Sequence, residues 1–176
     1  MKLLRIFAIA TVLASGLALA PGALASGASA LTPNCVSAQL RVSLATPQGA
    51  AGTIYVPVVI TNTGRACQIW GVPAIQPVVI TEARRFTPVG PRARNTSIGQ
   101  MPVRHVVAKG KSLSAAVGVT ETGNYTPSTC RARNATGVVV SLGGFLTSVY
   151  VPLKISVCTR LASTTTRLIA PGITGY

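Results

Sequence analysis

From residue 36 onward, apolar and polar side chains alternate with a period of two. Val36, Ala38, Leu40, Val42 and Leu44 are apolar, and Ser37, Gln39, Arg41 and Ser43 between them are polar. Successive side chains of a strand point to opposite faces, so this pattern predicts a half-buried strand. A Pro/Gly-rich break follows, and then a nearly continuous apolar run over residues 54–60, which predicts a strand buried on both faces. Pro57 lies inside that run. It has no N–H to give to a ladder, which predicts a bulge or an edge there. Asn62-Thr63-Gly64 reads as a turn.

Two short strands are predicted over residues 67–72 and 75–81, followed by a long Pro/Gly/Arg-rich surface loop over 87–102. Alternation resumes with Leu113, Ala115, Val117 and Val119. A short strand over 138–142 turns at Gly143-Gly144. Phe145, Thr147, Val149, Val151, Leu153, Ile155 and Val157 then line one face of a long strand, and residues 165–169 supply a last candidate. After residue 30 no segment carries an apolar stripe at helical spacing. Seven or more short strands between Gly/Pro turns predict an all-β fold, an immunoglobulin-like two-sheet antiparallel β-sandwich. The antibody-domain arrangement of Cys and Trp is absent, because Trp70 follows Cys67 by three residues.

The first thirty residues read differently. Lys2 and Arg5 precede an apolar run over residues 6–20 and a small-residue region to Ala30, the layout of a secretory signal peptide. Ala23-Leu24-Ala25 and Ala28-Ser29-Ala30 both suit a cleavage enzyme that wants small residues, so cleavage is expected after Ala25 or Ala30. The rival reading, an uncleaved anchor, needs ~20 uninterrupted apolar residues, whereas Gly16 and Pro21 interrupt this run. Residues 31–176 are then a single exported domain. Loss of Lys2 and Arg5 with the leader lowers the net charge from the +14 of the whole chain to +12.

Four cysteines remain: Cys35, Cys67, Cys130 and Cys158. An even number in an oxidising compartment predicts two disulfides, and four cysteines allow three pairings. Cys35–Cys67 with Cys130–Cys158 is preferred, since each pair brackets one block of strand-like sequence. Zinc is disfavoured, because there is no Cys-x-x-Cys spacing and only one histidine.

Composition narrows the chemistry further. The chain has sixteen Lys and Arg against two acids, Glu82 and Glu121, no Asp, and a single histidine, His105. Paired-Asp catalysis and multi-histidine metal sites are excluded. A hydrolytic triad would have to join His105 to Glu82 or Glu121 and a hydroxyl, without any Gly-x-Ser-x-Gly elbow. The strongest candidate site is the basic stretch of Arg84, Arg85, Arg92, Arg94, Arg104, Lys109 and Lys111, seven cations with no acid among them. Such a patch attracts polymers of phosphate or carboxylate. A specific nucleic-acid site is not expected, since base stacking needs exposed aromatics and Phe86 is the only one nearby. Anionic envelope polymers, anionic lipid head groups and acidic proteins fit an exported protein better. Trp70, Tyr55, Tyr125 and Tyr150 could together form an aromatic carbohydrate platform, but Trp70 and Tyr150 are expected in the core and Tyr125 in an exposed loop. The acceptor patterns at Asn95, Asn124 and Asn134 carry no weight in a bacterial host.

The order Cys35, Gly52-Thr53-Ile54-Tyr55-Val56, Ile60-Thr61-Asn62-Thr63-Gly64, Cys67, Gly71-Val72-Pro73, Gly123-Asn124-Tyr125, Cys130, and Tyr150-Val151-Pro152-Leu153 before Cys158 resembles the secreted actinobacterial family known as domain of unknown function 4232. The resemblance spans Cys35 to about Leu168. It implies an exported or cell-wall-associated β-sandwich with two disulfides, and it brings no activity, cofactor or site residue. The Arg-rich residues 84–111 depart from the family's pattern. The functional expectation is a non-catalytic binding domain, without cofactor, that prefers anionic partners. The alternatives are a structural envelope component with no dedicated ligand and, last, a hydrolase.

Overall fold

The computed structural model describes residues 31–82 and 85–176. The leader and its cleavage sites lie outside the described residues, as does Arg84. Thirteen strands occur among the described residues: β1 (Leu40–Leu44), β2 (Gln48–Ala50), β3 (Thr53–Asn62), β4 (Cys67–Ile69), β5 (Ala74–Ile80), β6 (Phe86–Pro88), β7 (Arg94–Asn95), β8 (His105–Val107), β9 (Ser112–Thr120), β10 (Ala132–Leu142), β11 (Leu146–Cys158), β12 (Thr164–Thr166) and β13 (Ala170–Pro171). One helical turn, α1 (Pro127–Cys130), precedes β10.

The larger sheet runs in the order β1-β3-β9-β12-β7, with β2 added to β3 and β13 to β9. The second runs β11-β10-β5-β6, and β4 and β8 form a separate two-stranded ribbon. Pairing is antiparallel apart from β12 and β7, which run parallel with Thr165 opposite Arg94. A small second cluster gathers Val89, Ala135 and Val157, and the main core lies between the layers. Val58, Ile60 and Val117 enter it from the first sheet, Ile75, Val138 and Val140 from the second, and Ile69 and Val107 from the ribbon. The fold is thus the two-sheet β-sandwich the alternation predicts, and each fully buried Val or Ile contributes about 1.5–3 kcal/mol.

The period-two reading holds in β1 from Leu40 and in β11 from Val149 onward. A register shift at the start of β11 buries Leu146 and exposes Thr147, and β9 is buried on both faces. Leu40 is buried, Val42 and Leu44 are half-buried, and Arg41 and Ser43 face water. Of the continuous run of β3, Ile54 at the start is exposed, while residues 56–60 are buried on both faces, because one face meets the core and the C-terminal tail reaches the other. There the Tyr176 ring meets Tyr55 edge-on at 6.1 Å, and the Gly175 N–H bonds the Ser114 hydroxyl at 2.8 Å.

Three expectations are corrected. Residues 37–39 form a 3-10 turn, so the first strand begins only at Leu40. Pro57 sits in an interior strand with an unbroken register to β9, and the irregularity lies instead in its other neighbour, where residues 44–48 oppose residues 58–55 with one residue extra. The Pro57 carbonyl accepts the Ala45 N–H at 3.0 Å, so the side where a donor is missing faces the gap between the last pair of β1 (Leu44–Val58) and the first of β2 (Gln48–Tyr55). The ladder therefore loses little. The loop over 87–102 also contains β7 and most of β6, both short edge strands whose side chains are exposed, which is why no alternation marks them.

The disulfides are Cys35–Cys67 and Cys130–Cys158, with Cα–Cα distances of 4.9 and 4.5 Å. Neither joins the two large sheets. Cys35 ties the segment before β1 to the ribbon, and Cys130 ties α1 to the end of β11. Pro127 suits the first turn of α1, and Arg131, in the left-handed region at φ 47°, ends it.

Beyond β13 the tail follows the edge of β9. The Ala116 N–H bonds the Gly175 carbonyl at 3.1 Å, with Gly175 at φ +86°. A Cβ there would stand 2.8 Å from the Ala116 nitrogen. Gly175→Ala combines an unfavourable φ with that overlap and is expected to lower stability by about 1–2 kcal/mol. The shift in urea midpoint measures it.

Candidate functional site

The basic residues fall into three places. Arg85 leads into β6 beside Glu82 at the end of the β5–β6 turn, where the Thr81 N–H bonds the Arg85 carbonyl at 3.0 Å. Arg92 and Arg94 are exposed on the segment entering β7. Arg104, Lys109 and Lys111 surround the ribbon strand β8 and its turn into β9. That turn closes through the Lys111 N–H to the Ala108 carbonyl at 3.1 Å, with Gly110 at φ +77°.

Of the predicted residues, Arg104 and Lys111 line one cleft of about 650 Å³. One wall is β8 with its turn; the other is Pro171, Gly172 and Ile173 from the C-terminal tail; Ser112 and Leu113 also line it. Tail residues in this wall could not be foreseen, because the alternation gives no sign of which strand β13 joins.

Asn62 holds the β8 wall. It is fully buried and sits beneath the β8–β9 turn. Its Nδ2 donates to the carbonyls of Arg65 and Val107, both at 2.8 Å, and its Oδ1 accepts the Gly64 N–H at 2.9 Å. Its backbone exchanges bonds with Gly110 (2.7 Å) and Lys111 (3.0 Å). The sequence signal, Asn-Thr-Gly, identifies the turn but not the side chain's second role as a clamp on β8.

β8 also has a free side. Gln68, opposite Val106, receives and donates its backbone bonds on the other side of β4, with Pro33 and Cys35 at 2.8 and 2.9 Å. The Gln68–Val106 pair is therefore non-hydrogen-bonded, and Val106 directs its own N–H and C=O away from β4. Arg104 stands at the cleft rim with its guanidinium 3.8 Å over the Trp70 ring, and Phe145 meets that ring edge-on at 4.5 Å. An exposed cation–π contact of this kind contributes about 0.5–1 kcal/mol and holds the charge in place.

His105 lines the cleft with Ser112. Glu82 lies on a different depression with Arg85 and Phe86, and Glu121 on a third with Lys154 and Ser156. The structure thus puts the histidine and a hydroxyl on one cleft and each candidate acid on another. Among the described residues, no three of His, Cys, Asp and Glu come together as a metal site would require.

Trp70 is half-buried against the core, as expected, but Tyr150 is not a core residue. It lies on the outer face of the second sheet, over Gly137, and stacks on Phe86 at 5.0 Å and 13°. From Val149 to Val157 the inward positions of β11 are odd and Tyr150 is even, so alternation over that stretch places it outside. Its hydroxyl donates to the Thr136 carbonyl at 3.1 Å.

Composition alone could not reveal one further feature. Ile98, Met101, Val103 and Val106 are exposed within a nine-residue segment leading into and along β8.

No curated protein and no solved structure shows a significant match to the chain. Residues 35–169 match the model of a family described as a domain of unknown function (DUF4232). That span runs from the first bridged cysteine to beyond β12 and includes both disulfides and nearly all of both sheets. The chain belongs to the DUF4232 family.

Proposed function

We propose that this protein is an exported, non-catalytic binding domain that acts at the cell envelope and prefers anionic partners. The observation that carries the reading is the placement of single-sign charge. Between Glu82 and Glu121 the chain has no acid, and that stretch supplies Arg104 and Lys111 to one cleft. A cleft lined by one sign of charge concentrates partners of the other. Export is supported by the N-terminal sequence pattern and by two disulfides, which persist in oxidising compartments. Among the described residues no helix is long and apolar enough to cross a membrane.

The test is binding to a linear polyphosphate at graded salt. Neutralising Arg92, Arg94, Arg104 and Lys111 to glutamine should flatten the salt dependence by about one unit of slope for each cation that pairs with a phosphate. Neutralising Arg41, Arg133, Lys154 and Arg160 should change it far less. Equal effects of the two sets would mean a diffuse charge and no site.

A second reading, a structural envelope component with no dedicated ligand, is favoured by cations already engaged within the protein. Arg167 lies 5.0 Å over the Tyr176 ring, and Arg160 donates to the Ser128 carbonyl at 3.1 Å. Absence of any polyphosphate binding would support it.

A further inference from the structure

We infer that the segment over residues 97–106 is a membrane-contact loop, which sets its apolar side chains into the surface of an anionic bilayer while the neighbouring cations engage lipid phosphates. The inference rests on the anionic preference proposed above and names the partner.

The loop is built to present its tip. Ser97 is buried, its hydroxyl accepts the Leu168 N–H at 3.1 Å, and the Thr96 N–H bonds the Thr166 carbonyl at 2.8 Å, so the base is fixed to β12 and the residues that follow it. The Gln100 N–H then bonds the Ser97 carbonyl at 3.1 Å, with Gly99 at φ +81°, the position that a type II turn reserves for glycine. Ile98 stands at the corner of that turn, 81% exposed. Met101 follows at 87%, Val103 at 64% and Val106 at 65%.

Single exposed apolar residues on a protein surface are ordinary, but four in nine residues of one anchored segment concentrate apolar surface there. Its surroundings are cationic: Arg94 precedes it, Arg104 lies within it, and Lys109 and Lys111 follow it in sequence. A hydrophilic polyanion would use the cations and leave the apolar side chains in water. An anionic bilayer uses both, because apolar groups enter the boundary between head groups and acyl chains while Lys and Arg gain from the surface potential.

The experiment is co-sedimentation of the disulfide-bonded protein with vesicles of phosphatidylcholine containing about one-third phosphatidylglycerol. Phosphatidylcholine vesicles and soluble poly-glutamate serve as comparison arms. The variant Ile98→Ser/Met101→Ser/Val103→Ser keeps every charge, changes only exposed positions and leaves the cleft wall intact, and its circular dichroism verifies the fold.

The expected result is binding to the anionic vesicles that weakens at least about tenfold in the variant, with polyphosphate binding unchanged. Wild-type binding by the serine variant would overturn the inference. So would poly-glutamate binding as tight as vesicle binding and equal in both proteins, which would point to an acidic protein partner. If polyphosphate binds and anionic vesicles do not, the membrane inference falls while the anionic preference stands. If neither binds, both fall.

Discussion

A chain lacking both disulfides, through reduction or through Cys35→Ala/Cys67→Ala/Cys130→Ala/Cys158→Ala, is expected to unfold near physiological temperature. The bridges close loops with sequence separations of 32 and 28 residues. In the chain-entropy model each contributes roughly 3–4 kcal/mol by restricting the unfolded ensemble. Their sum rivals the whole stability of a domain of this size, roughly 5–15 kcal/mol. The two variants lacking a single bridge should remain folded, because neither bridge spans the core between the sheets and Val58, Val117, Val138 and Val140 stay packed. Denaturant titrations with and without reductant test this. Identical midpoints would show that the bridges stabilise nothing.

Asn62→Ala is expected to cost about 3 kcal/mol, lowering a urea midpoint by roughly 1–2 M. The side chain makes three hydrogen bonds in a site with no access to water, and each is worth about 1 kcal/mol. Alanine leaves the Val107 carbonyl without this donor and opens a small void beside Leu40, the register partner of residue 62. The damage should be local as well as global. Amide exchange should speed up across β8 and its turn into β9, where Lys109 and Lys111 sit, before it does in β10 or β11. Uniform acceleration would show that Asn62 is simply one more buried residue.

Much of the sandwich was legible because burial on one face of a strand imposes a period of two on the sequence. β1, β9 and β11 declare themselves through Leu40 and Val42, through Leu113 to Val119, and through Val149 to Val157. The pairing of the cysteines was legible for a related reason, since each pair closes one local block of strands. β6 and β7 were not, because an edge strand exposed along its length has no buried face to leave a pattern. α1 was hidden by its size, four residues fixed by Pro127 and Cys130 and not by an apolar stripe.

The site was only partly legible. The cations could be counted, but which of them share a cleft depends on the tail returning beside β9, a long-range pairing with no local signature. The four exposed apolar residues leave no mark in the sequence, because sequence does not distinguish an apolar residue that is buried from one left in water.

The order of the sulfurs has a consequence for biogenesis. The partners are neighbours along the chain, first with second and third with fourth, so the two closed loops neither nest nor interleave. A polypeptide delivered amino end first to an oxidant would present Cys67 to Cys35 before any competitor had arrived. The latter two sulfurs would then find only each other. Native connectivity would follow from the timing of emergence, with no need for an isomerase to undo wrong links.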